Sequence, residues 1–73
     1  MEINVVGLGY IGLPTALTMA NAGYKVIGTD YNKKLVNELN AGRVTFKEDG
    51  LEELFHQALK SGNITFTNEY PKT

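Results

Sequence analysis

Three short apolar runs along the chain, at residues 3–6, 24–29 and 63–67, are typical of β-strands. The first run is β-branched and apolar on both faces, which predicts a strand buried on both sides of a parallel sheet. In the third run, apolar Ile64 and Phe66 alternate with polar neighbours. The pattern therefore predicts strands at the beginning, middle and end of the chain.

Helical periodicity fills the segments between these strands. An amphipathic helix is expected over residues 12–22, and Gly23 lies where a left-handed C-terminal cap would end it. A second helix is expected over residues 33–41, with Asn32 as its N-cap and Gly42 after its last turn. Both helices thus have recognisable ends in the sequence.

A third helix gives the clearest amphipathic pattern. Asp49 and Glu52 have the spacing of a capping box, and the helix is expected to end at Ser61 and Gly62. Its apolar stripe consists of Leu51, Leu54, Phe55, Ala58 and Leu59. Residues 43–48, before this helix, are predicted to be a connection outside the sheet.

The order of these elements predicts the topology. Strands separated by helical crossovers run parallel, and such crossovers are right-handed. We therefore expect an α/β fold with a three-stranded parallel sheet in the order 3-2-1, which is half of a doubly wound Rossmann fold.

Three glycines lie between the first strand and the first helix, in the pattern Gly-x-Gly-x-x-Gly. Gly7 permits the tight turn, Gly9 lets the backbone approach a pyrophosphate, and Gly12 lets the helix pack close to the strand. The N–H groups of Tyr10 and Ile11 are expected to point outward with the positive end of the helix dipole, which favours a diphosphate. The alternative is a plain tight turn between strand and helix.

Asp30 follows the second strand, about twenty residues after the glycines, where a carboxylate can accept hydrogen bonds from an adenosine ribose. The carboxylate would repel a 2′-phosphate, so NAD is favoured over NADP as the cofactor. Lys33 and Lys34 are expected on a solvated helix face. The alternative role for Asp30 is a helix cap.

Composition excludes several other functions. The 73 residues carry a net charge of −1 without a basic cluster, so no nucleic-acid or membrane partner is expected. Absence of cysteine excludes a disulfide scaffold and a thiol nucleophile within these residues and is consistent with a cytoplasmic protein. His56 falls on a polar helix face, and Glu52 and Glu53 diverge by about 100° on a helix. We therefore predict no catalytic residue and no metal site in this chain.

The residues also resemble a known family, the NAD-dependent nucleotide-sugar 6-dehydrogenases. The segment GLGYIGLPTA at residues 7–16 is similar to the family's opening motif, within which it looks most like the branch acting on UDP-N-acetylmannosamine. Further similarity lies in Asp30-x-Asn32 with the residues that follow, and in the segment EDGLEEL at residues 48–54. Asp49 replaces the usual proline, and Leu35 stands where the family often carries a basic residue.

This resemblance implies a parent enzyme that oxidises the C6 alcohol of a UDP-sugar to a carboxylate with two NAD molecules. The family's cysteine nucleophile and its lysine lie much later in the sequence. Residues 1–73 would therefore form the N-terminal part of a dinucleotide-binding domain, with the remainder of the enzyme absent. The chain would contribute NAD binding, and the UDP-sugar would be a partner only of the full-length enzyme.

Two alternatives remain open. One is a different Rossmann NAD-dependent dehydrogenase, and the other is a non-catalytic, self-associating nucleotide-binding module. In the full fold the first strand is central, so the chain alone would expose an apolar edge there. We therefore expect the isolated chain to form a homodimer through the first strand or to fold only partly.

Overall fold

A computed structural model describes residues 2–70. The strands are β1 (Glu2–Val6), β2 (Lys25–Thr29) and β3 (Ile64–Thr67). The helices are α1 (Gly12–Asn21), α2 (Lys33–Asn40) and α3 (Leu51–Ser61). Each predicted element is present, within one or two residues of its expected ends.

The three strands form one sheet in the order β1-β2-β3, and both neighbouring pairs are parallel. This arrangement confirms the predicted α/β topology with the sheet order 3-2-1. Residues 41–50 contain neither helix nor strand, so the connection lies outside the sheet as expected. The parallel arrangement brings the carboxyl ends of all three strands to one edge of the sheet, where ligands bind in folds of this type.

The core lies between one face of the sheet and the helices packed on it. Helix α1 packs against α3, β1 and β2, and α2 packs against β3. The largest fully buried side chains include Leu8, Leu13, Leu17, Leu39 and Phe55. Burial of this apolar surface is the main stabilising contribution to the fold.

The prediction that β1 is buried on both faces is wrong for this chain. Glu2, Asn4 and Val6 are exposed, with Val6 at 58%, whereas Ile3 and Val5 are partly buried. Burial alternates because the helices cover one face only, and because β1 lies at an edge of the sheet among the described residues.

Three of the predicted helix-end signals are confirmed. Gly23 and Gly42 follow α1 and α2 with φ of +103° and +86°. Oδ1 of Asn32 accepts a hydrogen bond from the N–H of Leu35 at 3.1 Å, as an N-cap does. The capping box before α3 is not formed, because Gly50 occupies the N-cap and no side chain caps that helix. Asp49 lies one residue outside the capping position.

Candidate functional site

The glycine turn connects β1 to α1 at the carboxyl edge of the sheet. Gly7 has a φ of +91°, which disfavours any other residue, and its N–H donates a hydrogen bond to the carbonyl oxygen of Thr29 at 2.7 Å. A Cβ built on Gly12 would lie 1.6 Å from the carbonyl oxygen of Gly7. The helix therefore begins directly against the turn, and only glycine fits at its first position.

Gly9 lies at the open side of the same turn. A Cβ built on it meets no atom within 4 Å. Tyr10 and Ile11 follow it with exposures of 75% and 84%, and their backbone N–H groups have no hydrogen-bond partner within residues 2–70. Free N–H groups beside the positive end of a helix dipole attract an anionic group.

Asp30 lies directly across from this turn, at the carboxyl end of β2. Its Oδ2 accepts a hydrogen bond from the N–H of Leu8 at 2.8 Å, and its Oδ1 accepts one from the N–H of Asn32 at 2.9 Å. A carboxylate offers about four lone-pair positions, so two remain for further donors. The alternative role as the cap of α2 falls to Asn32, and Asp30 joins the turn to the β2–α2 loop.

Tyr10 contacts the connection between α2 and α3. Its ring lies 4.5 Å from the ring of Phe46, measured between centroids, and Phe46 is partly buried against the core. The side chain of Tyr10 therefore packs on this connection, beside the glycine turn. This contact of Phe46 was not predicted, because the sequence shows only an aromatic residue within the connection before α3.

A second aromatic contact lies beside Asp30. The rings of Tyr31 and Tyr70 are stacked, with centroids 4.0 Å apart and an interplanar angle of 23°. Partial burial, followed by electrostatic interaction with Tyr31 and Asp30, raises the pKa of Tyr70 above its ordinary value of 10.0. The sequence places Tyr31 next to Asp30, but it gives no indication that Tyr70 lies near either.

Leu8 was also missed as a residue that shapes the site. Its side chain is fully buried, and its backbone N–H binds Asp30. Its packing would be disturbed by a Cβ at Gly28, which would lie 2.9 Å from a Leu8 methyl group. In the sequence, Leu8 is recognisable only as an apolar residue between two glycines. Its buried side chain packs the turn against the sheet.

Several other polar side chains are exposed on the helices. His56 is exposed on α3, and Lys33 and Lys34 are exposed on α2. Leu35, in the position where relatives of the resembled family often carry a basic residue, packs against the core. Within residues 2–70 no group of three His, Asp or Glu side chains could hold a metal ion, and none of the helices is long and apolar enough to span a membrane.

Comparison with known proteins gives consistent matches. The profile of the UDP-glucose/GDP-mannose dehydrogenase family, NAD binding domain, matches residues 1–73. A UDP-N-acetyl-D-mannosamine dehydrogenase from Methanococcus maripaludis is 49% identical over 63 residues, which are 86% of this chain and 15% of that protein.

Solved structures give the same result. The UDP-N-acetyl-mannosamine dehydrogenase Cap5O from Staphylococcus aureus matches 96% of this chain with 17% of its own, at a TM-score of 0.92 and 37% identity. GDP-mannose dehydrogenase from Pseudomonas aeruginosa matches 94% of this chain with 16% of its own, at a TM-score of 0.87 and 33% identity. The chain thus spans about one sixth of the length of these relatives. It belongs to the UDP-glucose/GDP-mannose dehydrogenase family, as part of that family's NAD-binding domain.

Proposed function

We propose that the glycine turn and Asp30 hold the pyrophosphate and the adenosine ribose of NAD. The observation that carries this proposal is the 2.8 Å hydrogen bond from the N–H of Leu8 to Asp30 Oδ2. It fixes an acidic side chain against a turn whose outer N–H groups are free. An anion site and a hydroxyl acceptor thereby lie side by side, as an adenosine diphosphate group requires.

Each residue has a separate part in this proposal. Gly7 and Gly12 set the turn close to the helix, and Gly9 leaves space for the pyrophosphate to approach the backbone. The N–H groups of Tyr10 and Ile11 donate to phosphate oxygens. These groups are already ordered by the strand before them and the helix after them, so little conformational entropy is lost on binding.

Asp30 selects the cofactor by charge. Its two unused lone-pair positions accept the ribose hydroxyls, whereas a 2′-phosphate would bring like charges together. Leu35 offers no cation to offset that repulsion, and Lys33 and Lys34 project from the exposed face of α2. NAD is therefore the proposed cofactor rather than NADP.

For the whole protein we infer an NAD-dependent UDP-sugar 6-dehydrogenase, with UDP-N-acetylmannosamine as the favoured substrate. This inference is supported by the similar proteins, several of which are UDP-N-acetyl-D-mannosamine dehydrogenases. When bound, NAD accepts a hydride, and oxidation of an alcohol to a carboxylate takes up one water and requires two such transfers. Residues 1–73 would form the first half of the dinucleotide-binding domain and position the cofactor. We infer a cytoplasmic location, where an NAD pool is available.

Calorimetric titration of the chain with NAD and NADP tests the cofactor assignment. Asp30→Ala should weaken NAD binding by about 10-fold or more, because hydrogen bonds to a charged group are lost. Gly9→Val should abolish binding, because its side chain fills the space open to the pyrophosphate. Asp49→Ala, an exposed acid away from the turn, serves as the control. Equal affinity for NAD and NADP would refute the role of Asp30.

We also propose that two copies of the chain associate along β1. This strand pairs only with β2 among residues 2–70, and Val6 on it is 58% exposed. Edge strands with apolar side chains pair readily with other strands. Val6→Lys should lower the association constant in sedimentation experiments, whereas Thr65→Lys on β3 should leave it unchanged. A monomer at every concentration measured would contradict the proposal.

A further inference from the structure

Asp49 and Gly50 form the only Asp-Gly pair in the sequence, and they lie at the end of the connection before α3. Both residues are exposed, and the Asp49 carboxylate forms no hydrogen bond or ion pair within residues 2–70. The backbone N–H of Gly50 likewise donates no hydrogen bond in that range. A Cβ built on Gly50 meets no atom within 4 Å, so the space beside this N–H is open. A carboxyl group and the next backbone amide are therefore adjacent, and no other contact restrains them.

These two groups can react with each other without a catalyst. The Gly50 nitrogen attacks Cγ of the protonated Asp49 carboxyl group, an N–Cγ bond forms, and a C–O bond breaks. One water molecule leaves, made from the carboxyl hydroxyl and the amide proton. Attack is easiest when the nitrogen belongs to glycine, which has no side chain beside it. The product is a five-membered succinimide ring.

Hydrolysis of the ring has two outcomes. Water that adds at the Cγ carbonyl restores aspartate. Water that adds at the main-chain carbonyl of Asp49 gives isoaspartate, in which the backbone continues through the side-chain carbons. One water is lost and one is regained, so the mass of the chain is unchanged and no electrons are transferred.

We propose that Asp49 and Gly50 are a modification site at which the folded chain converts aspartate to isoaspartate. Asp30, the second of the two aspartates in the sequence, is restrained instead. Its oxygens accept the N–H groups of Leu8 and Asn32, and the nitrogen that would attack it belongs to a tyrosine. Isomerisation is therefore confined to residue 49.

The product changes the turn that leads into α3. The N–H of Leu51 donates a hydrogen bond to the carbonyl oxygen of Glu48 at 3.0 Å, which closes a turn around Asp49 and Gly50. Isoaspartate adds one atom to the backbone inside this turn, so the hydrogen bond cannot keep its geometry. Leu51 is the first residue of α3 and is 3% exposed in the core. Modification therefore disturbs both the start of α3 and the packing of Leu51.

Prolonged incubation of the folded 73-residue chain at neutral pH tests the site. An endoprotease that cleaves before aspartate but not before isoaspartate should progressively lose its cleavage before residue 49 and retain it before residue 30. Mass spectrometry should show no change in the mass of the uncleaved peptide. None of the asparagines precedes a glycine, so the fastest class of deamidation site does not interfere. Undiminished cleavage before residue 49 would overturn the proposal.

Asp49→Glu is the matched control, because it keeps the acid but would have to close a larger, six-membered ring. Methyl transfer by an isoaspartyl carboxyl methyltransferase counts the modified residues in both chains. The incubated parental chain should accept methyl groups, whereas incubated Asp49→Glu should accept no more than the fresh chain. Equal labelling of the two incubated chains would place the modification elsewhere and refute the site.

A parallel incubation in urea tests whether the folded structure leaves the pair reactive. Isoaspartate should accumulate in the folded chain as well as in the unfolded one, since no contact holds either group. Accumulation in urea alone would show that folding protects Asp49, against the proposal. After removal of the urea, modified chain should unfold at a lower urea concentration than fresh chain, and an unchanged midpoint would refute the effect on α3. None of these measurements uses NAD, so their outcome is independent of the proposed cofactor.

Discussion

The backbone N–H of Leu8 and the carboxylate of Asp30 form a 2.8 Å hydrogen bond between residues 22 positions apart. The bond joins the glycine turn after β1 to the loop after β2. Leu8 is fully buried and cannot move without disturbing the core, so it fixes Asp30 from a rigid position. The carboxylate is thus held at the site before any ligand arrives, which lowers the entropic cost of binding.

Replacing Asp30 with asparagine should therefore lower stability as well as affinity. Both carboxylate oxygens accept backbone N–H groups, from Leu8 and from Asn32. The asparagine amide has one oxygen and one NH₂, so one of these two donors must lose its partner however the amide is turned. We expect Asp30→Asn to reduce the free energy of unfolding by about 1–3 kcal/mol. Urea denaturation measures it, with Asp49→Asn as an unchanged control; equal stability of Asp30→Asn and the parental chain would contradict this role.

Gly9 and Gly12 should respond differently to substitution by alanine. Gly12→Ala places a methyl group 1.6 Å from the carbonyl oxygen of Gly7, so the helix must move away from the turn. We expect a loss of about 3 kcal/mol or more in the free energy of unfolding. Gly9→Ala meets no protein atom within 4 Å and should change stability by less than about 1 kcal/mol.

Denaturant unfolding of both variants, followed by circular dichroism, distinguishes these cases. NAD titration then completes the comparison, because Gly9→Ala should weaken binding without unfolding the chain. Similar stabilities for the two variants would show that the close packing at Gly12 is not needed. Unchanged NAD affinity in Gly9→Ala would place the pyrophosphate elsewhere.

Local signals in the sequence predicted most of the fold. Glycines after α1 and α2, the Asn32 cap and the apolar periodicities each act within a few residues, so their outcome depends little on the rest of the chain. The glycine pattern together with Asp30 also predicted which residues meet at the carboxyl edge, because parallel strands bring those ends together. The predicted parallel topology was therefore enough to place the candidate site at the carboxyl edge of the sheet.

Features that depend on tertiary contacts were not predictable in this way. The burial of β1 depends on which faces the helices cover, and Val6 is exposed where periodicity predicted a buried position. The stacking of Tyr31 on Tyr70 joins residues on two separate loops, and no spacing rule connects them. Asp49 has the spacing of a capping residue, but Gly50 occupies the N-cap position with a left-handed backbone. The Asp49 carboxylate therefore accepts no hydrogen bond from the N–H groups at the start of α3.

Substitution of Asn32 and of Asp49 tests whether each side chain caps the helix that follows it. Asn32→Ala removes the acceptor of the Leu35 N–H and should lower the free energy of unfolding by about 1 kcal/mol. Asp49→Ala removes a side chain that caps nothing and should leave it unchanged. Thermal and urea unfolding of the two variants provide the measurement. A larger loss for Asp49→Ala than for Asn32→Ala would mean that α3 begins with a capping box after all.

The pH dependence of Tyr70 reports on the arrangement around Asp30. Partial burial and then electrostatic interaction with Tyr31 and Asp30 raise the pKa of Tyr70 above 10.0. The folded chain therefore keeps the phenol proton at a pH where the unfolded chain has lost it. The stability that this proton contributes is complete below the unfolded pKa and is lost as pH rises through the folded pKa. Asp30→Asn removes one negative charge and should lower the pKa of Tyr70. Ultraviolet titration of the phenolate, with Tyr70→Phe subtracted to isolate this residue, measures the difference. An unchanged titration in Asp30→Asn would show that Tyr70 does not face the carboxylate.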